Sequence, residues 1–349
     1  MPKVALVLAG SVAKGAYAAG ALARIAEADV EIVRIVATSA GALNAVGYAR
    51  GLRARDARGA AAQLEQLWLD EATPLGVFHP SLVEIAKGEG FSDSSKILAL
   101  LREHVIPVTA ADRAEIELRL ICAPLAGSDG AISDRVATTY ERVLVFDGAT
   151  FDSAAGLAPL FDAAAASAAL PFVFAPVEVP GNGPCVDGGA VNNTPIKWAL
   201  GTLPDGRRLG PYVDAIIVVA PIPERVPPPE SELRGIALAA HLVEMLINER
   251  LYRDLREADQ RNTALRALAA LPLDPDLARR VINALDWDQV QEVPIVQIRP
   301  VTALPGHAFT GFFERSAREA YVQRGRDDAA NVLASRGWLP GADRRNVSS

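Results

Sequence analysis

The chain has 349 residues, 50% hydrophobic and 22% charged, and its 35 basic against 42 acidic side chains give a net charge of −7. A chain this long buries a large core, which excludes intrinsic disorder, and its length allows one large α/β unit or two domains. The negative balance excludes a protein that works by gripping nucleic-acid phosphates, and it removes any overall attraction to anionic lipid.

The N-terminal Met1-Pro2-Lys3 runs directly into Val4-Ala5-Leu6-Val7-Leu8, an apolar run too short for the core of a secretory leader. Residues 3–9 therefore read as a first buried strand at the start of the mature protein, ended by Gly10. Helix formers fill 15–27, Ile32 to Val36 form a second strand and 40–51 a second helix. Strand and helix alternating so closely predict a parallel sheet with right-handed crossovers. In such sheets chemistry lies beyond the carboxyl ends of the strands, here the loops at 9–15 and 37–41.

Residues 56–104 are expected to be mostly helical, with one helix opened by Ser92-Asp93. Ile116 to Ala123 reads as a strand, Ala131 to Phe146 as a hairpin, and 157–168 as a helix. Pro171 to Pro180 breaks into short extended pieces that lead to Cys185-Val186-Asp187-Gly188-Gly189. Tyr212 to Ala220 is another buried strand, followed by a proline-rich loop from Pro221 to Pro229. A long helix over about 231–258 carries Ile236, Ala240, Val243, Ile247 and Leu251 on one stripe, the pattern of core packing. Ile295 to Ile298 is the last strand, with helices near 311–335.

No repeat and no dividing linker is present. Residues 1–335 are thus expected to form a single domain, with a helical insertion at about 52–110, C-terminal helices at about 231–335 and a disordered tail at 336–349. Much of the apolar fraction is alanine, as in Ala163-Ala164-Ala165-Ala166, which favours helix, and no stretch is long and apolar enough to span a membrane. Two cysteines, Cys122 and Cys185, make no disulfide framework, which points to the cytoplasm.

Three segments carry candidate chemistry. Val36-Ala37-Thr38-Ser39-Ala40-Gly41 sits between a strand and a helix, the context of a nucleophile elbow. The small Ala37 and Gly41 flank Ser39 as such a turn requires, although Thr38 or Ser39 would equally serve as an ordinary helix N-cap. Gly10-Ser11-Val12-Ala13-Lys14-Gly15 ends the first strand and can present backbone N–H groups to an anion. It is neither a P-loop nor a dinucleotide fingerprint. If the first two strands are neighbours, its amides can hold the oxyanion formed when Ser39 attacks an ester carbonyl. Asp187-Gly188-Gly189 is a turn signal by itself. As a base for Ser39, Asp187 needs burial to raise its pKa.

These segments resemble blocks of the patatin-like phospholipases, in the same order. The resemblance rests on Gly10-Ser11-Val12-Ala13-Lys14-Gly15, on Ala37-Thr38-Ser39-Ala40-Gly41-Ala42-Leu43-Asn44-Ala45, and on Val186-Asp187-Gly188-Gly189-Ala190-Val191-Asn192-Asn193-Thr194-Pro195. The stretch from Ala166 to Val177 resembles the segment that precedes the family's Asp-Gly motif. It covers roughly residues 3 to 200 and extends more loosely to about 335. The resemblance implies a three-layer α/β/α sandwich with a mostly parallel sheet. It also implies a Ser–Asp dyad that hydrolyses lipid acyl esters without a histidine, with Ser39 as nucleophile and Asp187 as base. Gly10, Ser11 and Val12 would then form the oxyanion hole, with Lys14, Gly15, Ala37, Gly41, Gly188 and Gly189 in support.

The sequence departs from the family pattern where Ser11 and Val12 stand in place of the second and third glycines of the first block. Valine disfavours positive φ and its branched side chain crowds the approach of a carbonyl, so the alternative is a weak or inactive relative that binds acyl chains or a protein partner. Lys14 matches the basic position of that block, or is a surface charge. His79, His104, His241 and His307 show no metal-ligand spacing, and no EF-hand is present, so neither metal nor cofactor is expected. His307 comes late enough to complete a Ser-His-Asp triad, but that arrangement leaves Asp187-Gly188-Gly189 unexplained. Phe309, Phe312 and Phe313 read as helix core, or as an interfacial or acyl-binding patch. The expected partner is a lipid or acyl-ester substrate, met by a cytoplasmic protein in peripheral, transient contact with membranes.

Overall fold

The structure is a computed structural model that describes residues 1–126, 140–200, 213–223, 235–272, 274–284 and 292–340. Strand β1 (Lys3–Leu8) leads to helix α1 (Gly15–Ile25), and β2 (Glu31–Thr38) to α2 (Ala40–Arg53). Helices α3 (Ala57–Asp70) and α4 (Pro74–Val77) follow. Next come the short strands β3 (His79–Pro80) and β4 (Gly90–Asp93) around α5 (Leu82–Lys87), and then α6 (Ser95–His104). The middle of the chain holds β5 (Glu117–Pro124), β6 (Arg142–Phe146), α7 (Ala154–Ser167), β7 (Phe172–Phe174), β8 (Val177–Val179) and β9 (Gly183–Asp187). The last part holds β10 (Ala215–Val219), α8 (Gly235–Ala270), α9 (Pro275–Ala284), β11 (Ile295–Ile298), α10 (Thr310–Phe313) and α11 (Arg315–Ser335).

The main sheet runs β11-β10-β1-β2-β5-β9-β8, with β6 also paired to β5. Its strands from β11 to β5 are parallel, while β6 and β9 run antiparallel to β5, and β8 runs antiparallel to β9. Side chains alternate between its faces, as a pleated strand dictates. Val4, Leu6 and Leu8 pack with α1, α2, α7 and α11 on one face. Ala5 and Val7 pack with Trp198, Leu251 and Leu255 on the other. Two covered faces explain why these strands are apolar throughout, and they give the expected α/β sandwich. A second, small sheet runs β3-β4-β7. Among the described residues no helix is long and apolar enough to cross a membrane.

Several local expectations shift. Ser92 and Asp93 open no helix, because they belong to β4 and pair with β3. The Ser92 hydroxyl accepts from the His79 N–H (2.8 Å), while Asp93 accepts from Ser95 N (2.9 Å) and α6 begins there. Helix α7 starts earlier than expected, where the Ser153 hydroxyl accepts from Gly156 N (3.1 Å). Of the hairpin drawn over 131–146, β6 forms one arm against β5, and 131–139 lie outside the described residues. Helix α8 extends to Ala270, and its Leu251 is buried. The side chains of Ile236, Ala240, Val243 and Ile247, and the loop from 224 to 229, lie outside the described residues. Of the tail expected from 336, Trp338 packs against the core and its carbonyl accepts from Asp29 N (2.7 Å), while 341–349 are outside the described residues.

Candidate active site

Ser39 stands between β2 and α2 with φ 58° and ψ −133°, a left-handed conformation that an L-residue adopts at a cost of about 1–3 kcal/mol. Its surroundings hold it there. Its N–H donates to the Ser167 hydroxyl (3.0 Å), which donates to the Ile121 carbonyl (2.6 Å). Next door, the Thr38 hydroxyl donates to the Asn192 carbonyl (2.9 Å) and ties the end of β2 to the segment after β9. Ala37 is wholly buried in β2. Gly41 passes so close to β1 that a Cβ on it would lie 2.4 Å from the Leu8 carbonyl oxygen. Gly41→Ala is therefore expected to destabilise the fold by about 1–3 kcal/mol, through overpacking against backbone. Urea unfolding tests this, and an unchanged midpoint would refute the close packing.

Asp187 ends β9, opposite Cys122 of β5, and its backbone N–H donates to Ala169 O (2.9 Å). Ser39 Oγ donates to Asp187 Oδ2 at 2.6 Å, and Gly189 N–H donates to Oδ1 at 2.7 Å. Gly188 lies against the Ile121 carbonyl and lets this turn close on β5. Burial pushes the Asp187 carboxyl up from the ordinary 3.8 to about 6, against the opposing pull of the hydrogen bonds from Ser39 and Gly189. No arginine or lysine side chain among the described residues pairs with it, so desolvation dominates.

Parallel pairing of β1 with β2, Leu8 opposite Ala37, brings the glycine loop beside the serine. A Cβ on Gly10 would lie 2.7 Å from Ser39 Cβ and 2.3 Å from Asn193 Oδ1. Asn193 clamps this residue: its carbonyl accepts from Gly10 N–H (3.2 Å) and its side-chain amide donates to Gly10 O (3.1 Å). The N–H of Gly10, expected in the oxyanion hole, is thus already engaged, and Gly10 serves by its lack of a side chain. The N–H groups of Ser11 and Val12 make no hydrogen bond among the described residues. Val12 has φ 53°, the glycine-like conformation its β-branched side chain disfavours. Ala13 N–H donating to Ala308 O (3.1 Å) and Lys14 N–H donating to Ser11 O (3.0 Å) fix the turn around it. The Ser11 hydroxyl is buried without a partner among the described residues. Lys14 sits half-buried at the start of α1, off the cavity wall. Gly15 packs against Trp68, and its carbonyl accepts from Asn44, which in turn accepts from the Trp68 indole (2.9 and 2.7 Å).

Ser39 and Asp187 open into a cavity of about 1090 Å³, counting the space at its open side. Val12, Ala40 and Leu43 line it beside the serine, α3 and α6 add Leu64, Leu67, Ile97 and Leu101, and an aromatic group adds Phe78, Phe174, Phe309 and Phe312. Phe78 stacks on Phe174 (5.6 Å between centroids) and meets Phe312 edge-on (5.4 Å). Two of the three phenylalanines singled out in the sequence are therefore cavity wall, whereas Phe313 is exposed. The chamber is overwhelmingly apolar, with the Ser39 hydroxyl and the Asp187 carboxyl at its wall. That combination suits attack on an ester whose hydrocarbon chain fills the chamber.

No histidine hydrogen-bonds to Ser39 or Asp187 among the described residues. His307 is exposed, and its ring Nδ1 accepts from Phe309 N–H (3.2 Å). His79 pairs with Asp93 (2.9 Å). Among the described residues no group of three or more His, Cys, Asp or Glu side chains is placed to hold a metal. Reading the sequence did not single out Ser167 or Asn193. Both stood within the quoted motifs, but nothing local marked them as the supports of Ser39 and Gly10.

A family model described as "Patatin-like phospholipase" matches residues 6–200. No curated protein matches the sequence. Among solved structures the chain is similar to VipD from Legionella pneumophila at 12% identity and a TM-score of 0.38, over 96% of this chain and 67% of that one.

Proposed function

The chain belongs to the patatin-like phospholipase family, a family of lipid acyl hydrolases, and on that premise we propose that it is a serine hydrolase of lipid acyl esters worked by a Ser39–Asp187 dyad. The observation that carries this is the 2.6 Å hydrogen bond from Ser39 Oγ to a buried Asp187 carboxylate at the wall of an apolar chamber. Above pH about 6 Asp187 is ionised and accepts the serine proton as Oγ bonds to the acyl carbon. The carbonyl oxygen becomes an oxyanion, for which the N–H groups of Ser11 and Val12 are the available donors. The tetrahedral centre collapses, the ester C–O bond breaks, and Asp187 returns its proton to the departing alcohol. Water then attacks the acyl-serine, giving one proton to Asp187, which passes it back to Ser39 as the carboxylic acid leaves.

Val12 bears on the rival reading, a chain that binds acyl groups without turning them over. That rival rests on the Ser11-Val12 replacement, through a distorted loop or a branched side chain that crowds the carbonyl. Val12 holds φ 53°, and the N–H groups of Ser11 and Val12 are unengaged among the described residues, which favours the hydrolytic reading. An alkyl fluorophosphonate tests the proposal. One covalent adduct per chain, on Ser39 by peptide mass spectrometry, is the expected result. Folded protein that forms no adduct would overturn it.

A further inference from the structure

Among the described residues, one group of exposed large apolar side chains lies on and around the small sheet. Within α4, α5 and β4, Leu75, Leu82, Val83 and Phe91 are all exposed, Leu75 at 86% and Leu82 at 84%. Phe172 of β7, which pairs with β4 in the small sheet, is 90% exposed, and Phe313 at the end of α10 is also exposed. Scattered surface apolar residues need no explanation, but several on elements that pack together point to a binding surface.

This surface continues into the acyl chamber. Three elements each turn one residue outward and a near neighbour into the cavity wall: Leu75 and Val77 in α4, Phe172 and Phe174 in β7, Phe313 and Phe312 in α10. In β7 the division departs from strand periodicity, since residues two apart normally share a face. The cause is the φ of 68° at Phe172, a strained conformation for an aromatic residue. Gly90 stands opposite Phe172 in β4 and offers it no side chain. The positive φ belongs to the turn that Val173 N–H closes on the Leu170 carbonyl (3.1 Å) after Pro171, and it leaves the ring facing solvent.

Charge narrows the occupant. Over 74–93 the chain carries one lysine, Lys87, against Glu84, Glu89 and Asp93. Lys87 is already paired with Glu84 (3.4 Å) and Glu89 (3.8 Å). Over this stretch the paired lysine leaves no net positive charge to attract anionic headgroups, so apolar burial supplies the affinity. A protein seated on this face would cover the aromatic end of the chamber, whereas a lipid surface is continuous with it.

We propose that the face formed by α4, α5, β4, β7 and Phe313 docks on a zwitterionic or uncharged lipid surface, setting the acyl chamber directly over its substrate. The proposal rests on the hydrolytic reading for the identity of that substrate, but docking is measured without turnover. The test is co-sedimentation of a Ser39→Ala chain with phosphatidylcholine vesicles, with and without Leu82→Asp and Phe172→Asp together. Both positions are exposed and lie off the cavity wall, so the double variant is expected to keep its fold. In the Ser39 background it is expected to hydrolyse a short soluble ester as before. The expected result is vesicle binding by the parent and binding weaker by roughly tenfold or more in the double variant, each apolar side chain contributing to insertion. Adding phosphatidylglycerol should not tighten binding. Equal partition of parent and double variant, no binding to phosphatidylcholine, or binding that requires phosphatidylglycerol would each overturn the proposal. So would a dimer of the parent that the double variant converts to monomer without any vesicle binding. Failure of the hydrolytic reading is seen separately, as absent fluorophosphonate labelling and ester turnover with vesicle binding intact.

Discussion

Ser39→Ala is expected to lower kcat/KM on an acyl ester by about 10⁶-fold, the scale on which removal of a serine nucleophile acts. The fluorophosphonate adduct should vanish with it. The effect on the fold is smaller and opposite to a simple trimming of the surface. Alanine keeps the strained backbone at position 39 but leaves Asp187 Oδ2 without its donor. A buried acceptor so abandoned costs about 1–3 kcal/mol. The loss also removes a hydrogen bond that pulls the Asp187 pKa down, so its carboxyl should titrate higher still in the variant. Turnover retained in a homogeneous, adduct-free Ser39→Ala preparation would sink the nucleophile assignment.

Asp187→Asn is expected to lower kcat by about 10³–10⁴-fold, since an amide cannot take the serine proton. It is also expected to make the protein more stable at neutral pH. In the unfolded chain Asp187 ionises near 3.8, whereas burial keeps it protonated to about 6 in the fold. Below 3.8 both states are neutral and the group costs nothing. As pH rises through this window the unfolded chain gains the charge first, and above 6 the folded protein carries a buried carboxylate at a cost of roughly 3 kcal/mol. Asparagine removes that cost, while its carbonyl can still accept from Gly189 and its amide donate to Ser39. Unfolding midpoints at pH 4 and pH 8 should thus diverge between wild type and variant only at the higher pH. The wild-type kcat/KM should rise with pH through an apparent pKa near 6. The histidine triad makes the contrary statement: His307→Ala abolishes turnover and Asp187→Asn spares it. Full activity in Asp187→Asn would refute the dyad.

The two variants together describe a site that trades stability for reactivity. Three groups stand in conformations or protonation states that the chain alone would avoid: Ser39 and Val12 at positive φ, and Asp187 desolvated. Each is held by partners from elsewhere in the fold, Ser167 for the serine amide and Asn193 for the glycine loop. Under the proposed mechanism, rigid support of this kind keeps the reacting groups aligned before substrate arrives.

Much of this arrangement was legible in the sequence because it obeys local rules. Apolar runs of strand length alternating with helices determined a parallel sheet. A serine between strand and helix with Ala37 and Gly41 beside it determined the elbow, since only small residues fit where Gly41 meets the Leu8 carbonyl. The chain's high apolar fraction is largely alanine and aliphatic packing between helices and sheet, with no described helix able to span a membrane.

Other features came only from the tertiary structure, because they depend on contacts between residues far apart in sequence. The bond from Ser39 to Asp187 spans 148 positions, the one from Ser39 to Ser167 spans 128, and the one from Asn193 to Gly10 spans 183. No local pattern records which of many serines or asparagines will meet a given backbone group. Desolvation likewise belongs to the packed state: Asp187 has an ordinary carboxyl until the fold excludes water from it. The engagement of the Gly10 amide, the outward turn of Phe172 and the division of three neighbouring phenylalanines between chamber wall and surface have the same origin. The sequence by itself determined which residue types bend the chain and which bury it. The tertiary structure decided which of them meet, and hence that Ser39 and Asp187 share a hydrogen bond at the wall of one apolar chamber.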